Sequence, residues 1–93
     1  MHFILECHDK DGGLDLRMAT RPEHLAYMES RLDHIVIAGP ILDADGGRPV
    51  GSLIILDYPD RAGAEDFAAN DPYARAGLFK SVTIRPYRKV LPA

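Results

Sequence analysis

A single cysteine, Cys7, stands among the 93 residues, so no disulfide can close within the chain. That economy suits a reducing compartment and predicts a cytoplasmic protein. Long apolar runs are missing as well, and nothing approaches the roughly 20 residues that a membrane-spanning helix needs. The apolar stretch near the N-terminus is short and followed closely by acidic residues, which does not read as a signal peptide. Basic charge is scarce: 11 Lys and Arg against 14 Asp and Glu leave a net charge of −3. The densest basic stretch, Arg85 to Lys89, is too small for a nucleic-acid footprint, so neither nucleic acid nor membrane is an expected partner. The chain also has no phosphate loop, no G-x-S-x-G elbow and no paired-cysteine zinc pattern. Its histidines, His2, His8, His24 and His34, include no i, i+4 pair, so no metal site and no cofactor are expected.

What is present is an ordinary globular balance, 46% apolar and 27% charged, in a length that fits one domain over residues 1–93. His2 to His8 is a short apolar run with aromatic and β-branched members and reads as a strand. Asp9 to Gly13 reads as a turn, and Leu14 to Ala19 as loop. Thr20 to Leu32 reads as a helix. Thr20 and Glu23 have capping-box spacing, Pro22 falls in the first turn, and Leu25, Met28 and Leu32 recur as a buried stripe.

Ile35 to Ile41 is strand-like but contains Pro40, which cannot donate to a sheet ladder, so it belongs at an edge or at a bend. Gly51 to Tyr58 is a third strand. Asp60 to Asn70 is a second helix with Asp60 as its cap. Asp71-Pro72 ends that helix, Pro72 to Ala76 adds one more turn, and Gly77 closes it. Leu78 to Val90 is a fourth strand. The order β-α-β-β-α-β predicts a ferredoxin-like α+β fold: a four-stranded antiparallel sheet with two helices on one face.

Two helices cover only one face of such a sheet. Yet Leu53 to Leu56 and Phe3 to Leu5 place large apolar side chains on both faces. Each buried side chain of this kind contributes roughly 1.5–3 kcal/mol, so the second face calls for a cover. A second copy of the chain is the simplest one, which predicts a homodimer through the open sheet face.

Few residues stand out as chemical. His24 would lie in the first helical turn beside the apolar stripe, where the helix dipole disfavours imidazolium and a neutral ring could serve as a base. Asp71 could cap the following turn, or could orient His24. Ser52 could supply a hydroxyl, and Arg17, Arg21 and Arg85 could each grip a carboxylate. Cys7 reads as a small buried side chain, and Tyr73 and Tyr87 as packing groups.

Taken in order, R-P-x-H-L at Arg21 to Leu25, A-G-P at Ala38 to Pro40, G-S at Gly51 and Ser52, D-P-Y-x-x-A-G-L at Asp71 to Leu78 and a closing R-P-Y-R-K-V resemble the YciI-like (YCII-related) family along nearly the whole chain. The resemblance implies a ferredoxin-like fold related to the dimeric α/β-barrel superfamily. It implies a His and an Asp in a shared cleft, at His24 and Asp71, with Ser52 beside them. Arg21 and Tyr73 complete the expected substrate-side set. Related barrel proteins include lactone isomerases and a chloromuconolactone dehalogenase. The resemblance therefore points to cofactor-free acid–base chemistry on a small molecule. The competing expectation is a non-catalytic dimeric module that binds a small ligand or another protein. The compact segment His34 to Gly39 and the short loop Asp43 to Pro49 are where the shape of a pocket would be set.

Overall fold

The computed structural model describes residues 1–93. Four strands, β1 (His2–Asp9), β2 (Ile35–Leu42), β3 (Pro49–Asp57) and β4 (Phe79–Tyr87), form one sheet in the order β2-β3-β1-β4, with every neighbouring pair antiparallel. Three helices complete the chain: α1 (Leu14–Glu29), α2 (Arg61–Asn70) and the single-turn α3 (Pro72–Arg75). A 3-10 turn at Leu32–His34 leads into β2. This is the ferredoxin-like α+β arrangement expected from the order of elements. β2, which carries Pro40, is an edge strand, and so is β4, which carries Pro86.

The core follows the strand pleat. In β1 the odd-numbered Phe3, Leu5 and Cys7 point to the helical face and are buried. Their β3 partners Leu56, Ile54 and Ser52 point the same way and are buried too. Ala64 and Phe67 of α2 and Met28 of α1 close over them. Asp60 caps α2 by accepting the Gly63 amide at 3.2 Å, as its position suggested.

α1 departs from expectation. It begins at Leu14, not at Thr20, so the segment Leu14 to Ala19 is helical and Pro22 lies inside the helix. The capping-box spacing of Thr20 and Glu23 is therefore not used as a cap. Pro22 cannot donate to the carbonyl of Met18, but both residues are exposed, where water can take that acceptor. Nor do Leu25 and Leu32 join a buried stripe. They are 40% and 62% exposed, while Met28 is buried. The reason is that α1 packs chiefly against α3 and stands off from β2 and β3, leaving space beneath it.

On the opposite face of the sheet, Ile4, Leu53, Ile55 and Ile37 lie on adjacent strands with no helix over them. Ile37 is 59% exposed and Leu53 38%.

Burial and the nearby Asp71 push the Cys7 thiol from its ordinary 9.0 up to about 12, against the pull of Arg17. The folded chain thus holds this proton after the unfolded chain has lost it. Stability from the neutral thiol is complete below the unfolded value of 9.0 and erodes as pH rises from there through about 12. Native protein is expected to resist iodoacetamide at about pH 8 and to react on unfolding. Labelling of the native protein at the unfolded rate would contradict this placement. A second expectation concerns Gly51, where an added Cβ would run into the backbone carbonyl of Cys7, while at Gly47 it would meet nothing within 4 Å. Gly51→Ala should cost about 1–3 kcal/mol in urea unfolding and Gly47→Ala next to nothing.

Candidate functional site

Buried electrostatics begin at the C-terminal end of β1. Arg17 is only 4% exposed, and its Nε and Nη2 donate to the two carboxylate oxygens of Asp9 at 2.8 and 2.9 Å. Nη2 also donates to Ser52 Oγ on β3 at 2.9 Å. Burial works against the Arg17 charge, yet the Asp9 hydrogen bonds and charge outweigh it and raise its pKa above the ordinary guanidinium value. Nη1 donates to no carboxylate or carbonyl of the protein.

His24 follows Arg17 by two helical turns, on the same face of α1. Its Nδ1 lies 2.9 Å from Asp71 Oδ1. The imidazole side chain is 12% exposed and the Asp71 side chain 1%. Asp71 is also the cap of α3, because the same Oδ1 accepts the Tyr73 amide at 3.0 Å. Both expectations for Asp71, cap and orienter, thus describe one oxygen. The other, Oδ2, is buried without a protein partner.

Pro72 at the first position of α3 then turns the chain so that Tyr73 points inward. The Tyr73 ring stacks on His24 at 3.9 Å between centroids and 14° between planes, and the Arg17 guanidinium lies 4.5 Å from the centre of the same ring. Burial pushes the Tyr73 phenol up, while Arg17 and Arg21 pull it down. Tyr73 is therefore both a packing group and part of the site.

These groups line one end of a cavity of about 490 Å³ between α1 and the β2–β3 edge of the sheet. Arg17, Arg21, His24, Ser52 and Tyr73 make the polar end. Met18, Leu25, Met28, Leu32, Ile35, Ala38, Pro40 and Ile54 make the rest of the wall apolar, with Glu29 further along α1. The volume lies within the range of small-ligand pockets. His24 Nε2 makes no hydrogen bond to the protein.

His24, Asp71, Ser52, Arg21 and Tyr73, singled out from the sequence, are thus brought together. One reason given for His24 does not hold. It lies deep inside α1 and not in the first turn, so the helix N-terminus is not its neighbour. Its orientation comes instead from Asp71 and Tyr73. Arg85 is not part of the site. It pairs across from Ile4 and lies on the open sheet face. Tyr87, also on β4, is 37% exposed and distant in the fold from the cavity. What sequence reasoning missed is the Asp9–Arg17 pair, since both residues fell in segments read as turn or loop. The spacing of Arg17 and His24, two turns apart, is the one signal that could have joined them, and it becomes visible only once the helix starts at Leu14. The structure contains no group of three or more His, Cys, Asp or Glu able to hold one metal ion.

Comparison with known proteins agrees with this fold. The family model described as the YCII-related domain matches residues 1–88. The protein YciI of Escherichia coli O6:H1 is 31% identical over 97 residues, covering 97% of this chain and 99% of that one. A Haemophilus influenzae protein matches at the same identity and coverage. Among solved structures, the 5-chloro-2-hydroxyhydroquinone dehydrochlorinase of Burkholderia phenoliruptrix, in complex with 2,5-dihydroxybenzoquinone, superposes with a TM-score of 0.89 at 30% identity, over 95% of this chain and 94% of that one. An antibiotic biosynthesis monooxygenase, at a TM-score of 0.57 and 16% identity over 96% of this chain and 97% of that one, shares the fold. With its length matched almost throughout, the chain belongs to the YCII-related family.

Proposed function

We propose that the protein is a cofactor-independent acid–base catalyst acting on a small ring compound that bears a hydroxyl or carbonyl group. The observation that carries this reading is the His24–Asp71 hydrogen bond at 2.9 Å, which leaves Nε2 of a cavity-lining imidazole without a protein partner. With Asp71 as a carboxylate, Oδ1 only accepts, so the neutral imidazole carries its proton on Nδ1, and in that form Nε2 offers its lone pair. The Tyr73 ring holds the imidazole plane.

The chemistry balances without an outside oxidant or reductant. His24 Nε2 removes a proton from carbon next to a carbonyl, and the electron pair moves onto the carbonyl oxygen. Arg17 and Ser52, buried at the polar end, are suited to receive that negative oxygen. The electrons then return. Reprotonation at a different carbon by His24 gives an isomerase. On a ring that carries hydroxyls, His24 passes a hydroxyl proton to the ring carbon bearing chlorine, and chloride then leaves with its bonding pair as a second hydroxyl gives its proton to the freed Nε2 and becomes a carbonyl, which makes a dehydrohalogenating lyase. The likeness to a dehydrochlorinase over 95% of the chain favours the second course.

The protein works as a homodimer in this proposal. The Ile4, Leu53, Ile55 and Ile37 row on the open sheet face is the surface a second copy covers, and a reducing cytoplasm suits the one buried thiol.

Chloride release from 5-chloro-2-hydroxyhydroquinone, and solvent deuterium uptake into that ring compound, test the catalytic reading. Turnover is expected in the native protein, with a fall of about 10²–10⁴-fold for both His24→Gln and Asp71→Asn while circular dichroism stays native. Neither release nor exchange, or a His24→Gln rate equal to wild type, rejects acid–base catalysis by this pair. For the dimer, sedimentation should give twice the chain mass, and Leu53→Glu should shift it to one chain mass. A monomeric wild type rules the interface out.

A further inference from the structure

We infer that this cavity binds a ring compound bearing a carboxylate more tightly than the neutral ring alone, the carboxylate being held by Arg21 at the mouth while the ring oxygen meets Arg17 and Ser52 at depth. The inference rests on the acid–base reading above and names the ring compounds that site prefers: small cyclic acids, either a hydroxylated aromatic carboxylate or an unsaturated ring with a carboxylate substituent.

The two arginines at the polar end are not equivalent. Arg17 is buried and its charge is met by both oxygens of Asp9, so the pair supplies directed hydrogen bonds but little net field. Arg21 follows one helical turn later, lines the same cavity and is exposed. It makes no ion pair and no hydrogen bond with the protein: every salt bridge and side-chain hydrogen bond of α1's other charged groups passes it by. The only acid on the cavity wall is Glu29, eight residues on and therefore about 12 Å further along the helix axis, too distant to neutralise it. Between them the wall is apolar, with Leu25, Met28, Ile35 and Ile54. One uncompensated cation at the catalytic end of an apolar slot matches a flat apolar ring with an anion at one end. A planar guanidinium receives a carboxylate through two parallel hydrogen bonds and thereby orients the ring about His24.

Calorimetric titration with 2,5-dihydroxybenzoate and with 2,5-dihydroxybenzamide isolates the carboxylate, because the two probes share ring and hydroxyls. Wild type should bind the acid at least about tenfold more tightly than the amide. The ratio should fall to about one in Arg21→Met and in Arg21→Gln, and should persist in His24→Gln. Because Arg21 is exposed and unpaired, both of its variants should retain native circular dichroism. Equal affinities in wild type, an unchanged ratio in the folded Arg21 variants, or no binding of the acid overturns the inference. The readout needs no turnover. A carboxylate preference without proton exchange or chloride release would uphold this inference and reject the catalytic reading. Catalysis on a neutral ring that Arg21→Met leaves untouched would do the reverse.

Discussion

The Arg17 guanidinium is held between Asp9 at the end of β1 and Ser52 on β3, and the placement of α1 depends on that bridge. Removing one partner of such a buried pair typically costs about 3–5 kcal/mol, because the other charge is left without compensation. Few apolar residues of this helix reach the core: Met28 belongs to the buried hydrophobic cluster, and Tyr27 packs against it and donates its hydroxyl to the Phe67 carbonyl. A polar clamp at the N-terminal end and Tyr27 with Met28 towards the C-terminal end therefore hold α1 in place, away from β2 and β3. The cavity is the space that this spacing leaves.

Rotation of α1 is settled by the same clamp. With Arg17 turned inward, the residue two turns later faces the same way, and that residue is His24. The other half of the constellation arrives from the far end of the chain. Asp71 stops α2, caps α3 and meets the imidazole, while Pro72 directs Tyr73 into contact with both His24 and Arg17. One aromatic ring thus links the groups proposed to move the proton with the group proposed to receive the negative oxygen. The orphaned Oδ2 of Asp71 is the cost in polar satisfaction at the centre of this arrangement. It also raises the thiol of Cys7, which lies on the buried face of β1, although burial is the larger cause.

Much of this was legible because short-range chemistry and long-range packing agree. The short apolar, β-branched runs of β1 and β3, the edge-breaking Pro40 and the Asp60 and Asp71 caps each declare local structure, and each keeps it in the fold. Where they conflict, packing prevails. Thr20, Pro22 and Glu23 carry the signature of a helix start, yet the helix runs back to Leu14, and from its first turns the buried Arg17 meets Asp9 and Ser52. The same conflict explains Leu25 and Leu32, whose spacing suits a core stripe but which rim a cavity mouth instead.

The order and kind of the strands and helices, the Asp60 and Asp71 caps, and the family to which the chain belongs follow from the residues in their linear order, since they rest on periodicity and on neighbours a few positions apart. The meeting of His24 with Asp71 across 47 residues, the Asp9–Arg17–Ser52 clamp, the free Nε2 and the unpaired Arg21 beside an apolar slot were decided by the tertiary structure alone. Each depends on which side of a helix faces which strand. No local propensity encodes that, because it is fixed only when buried charges find their partners.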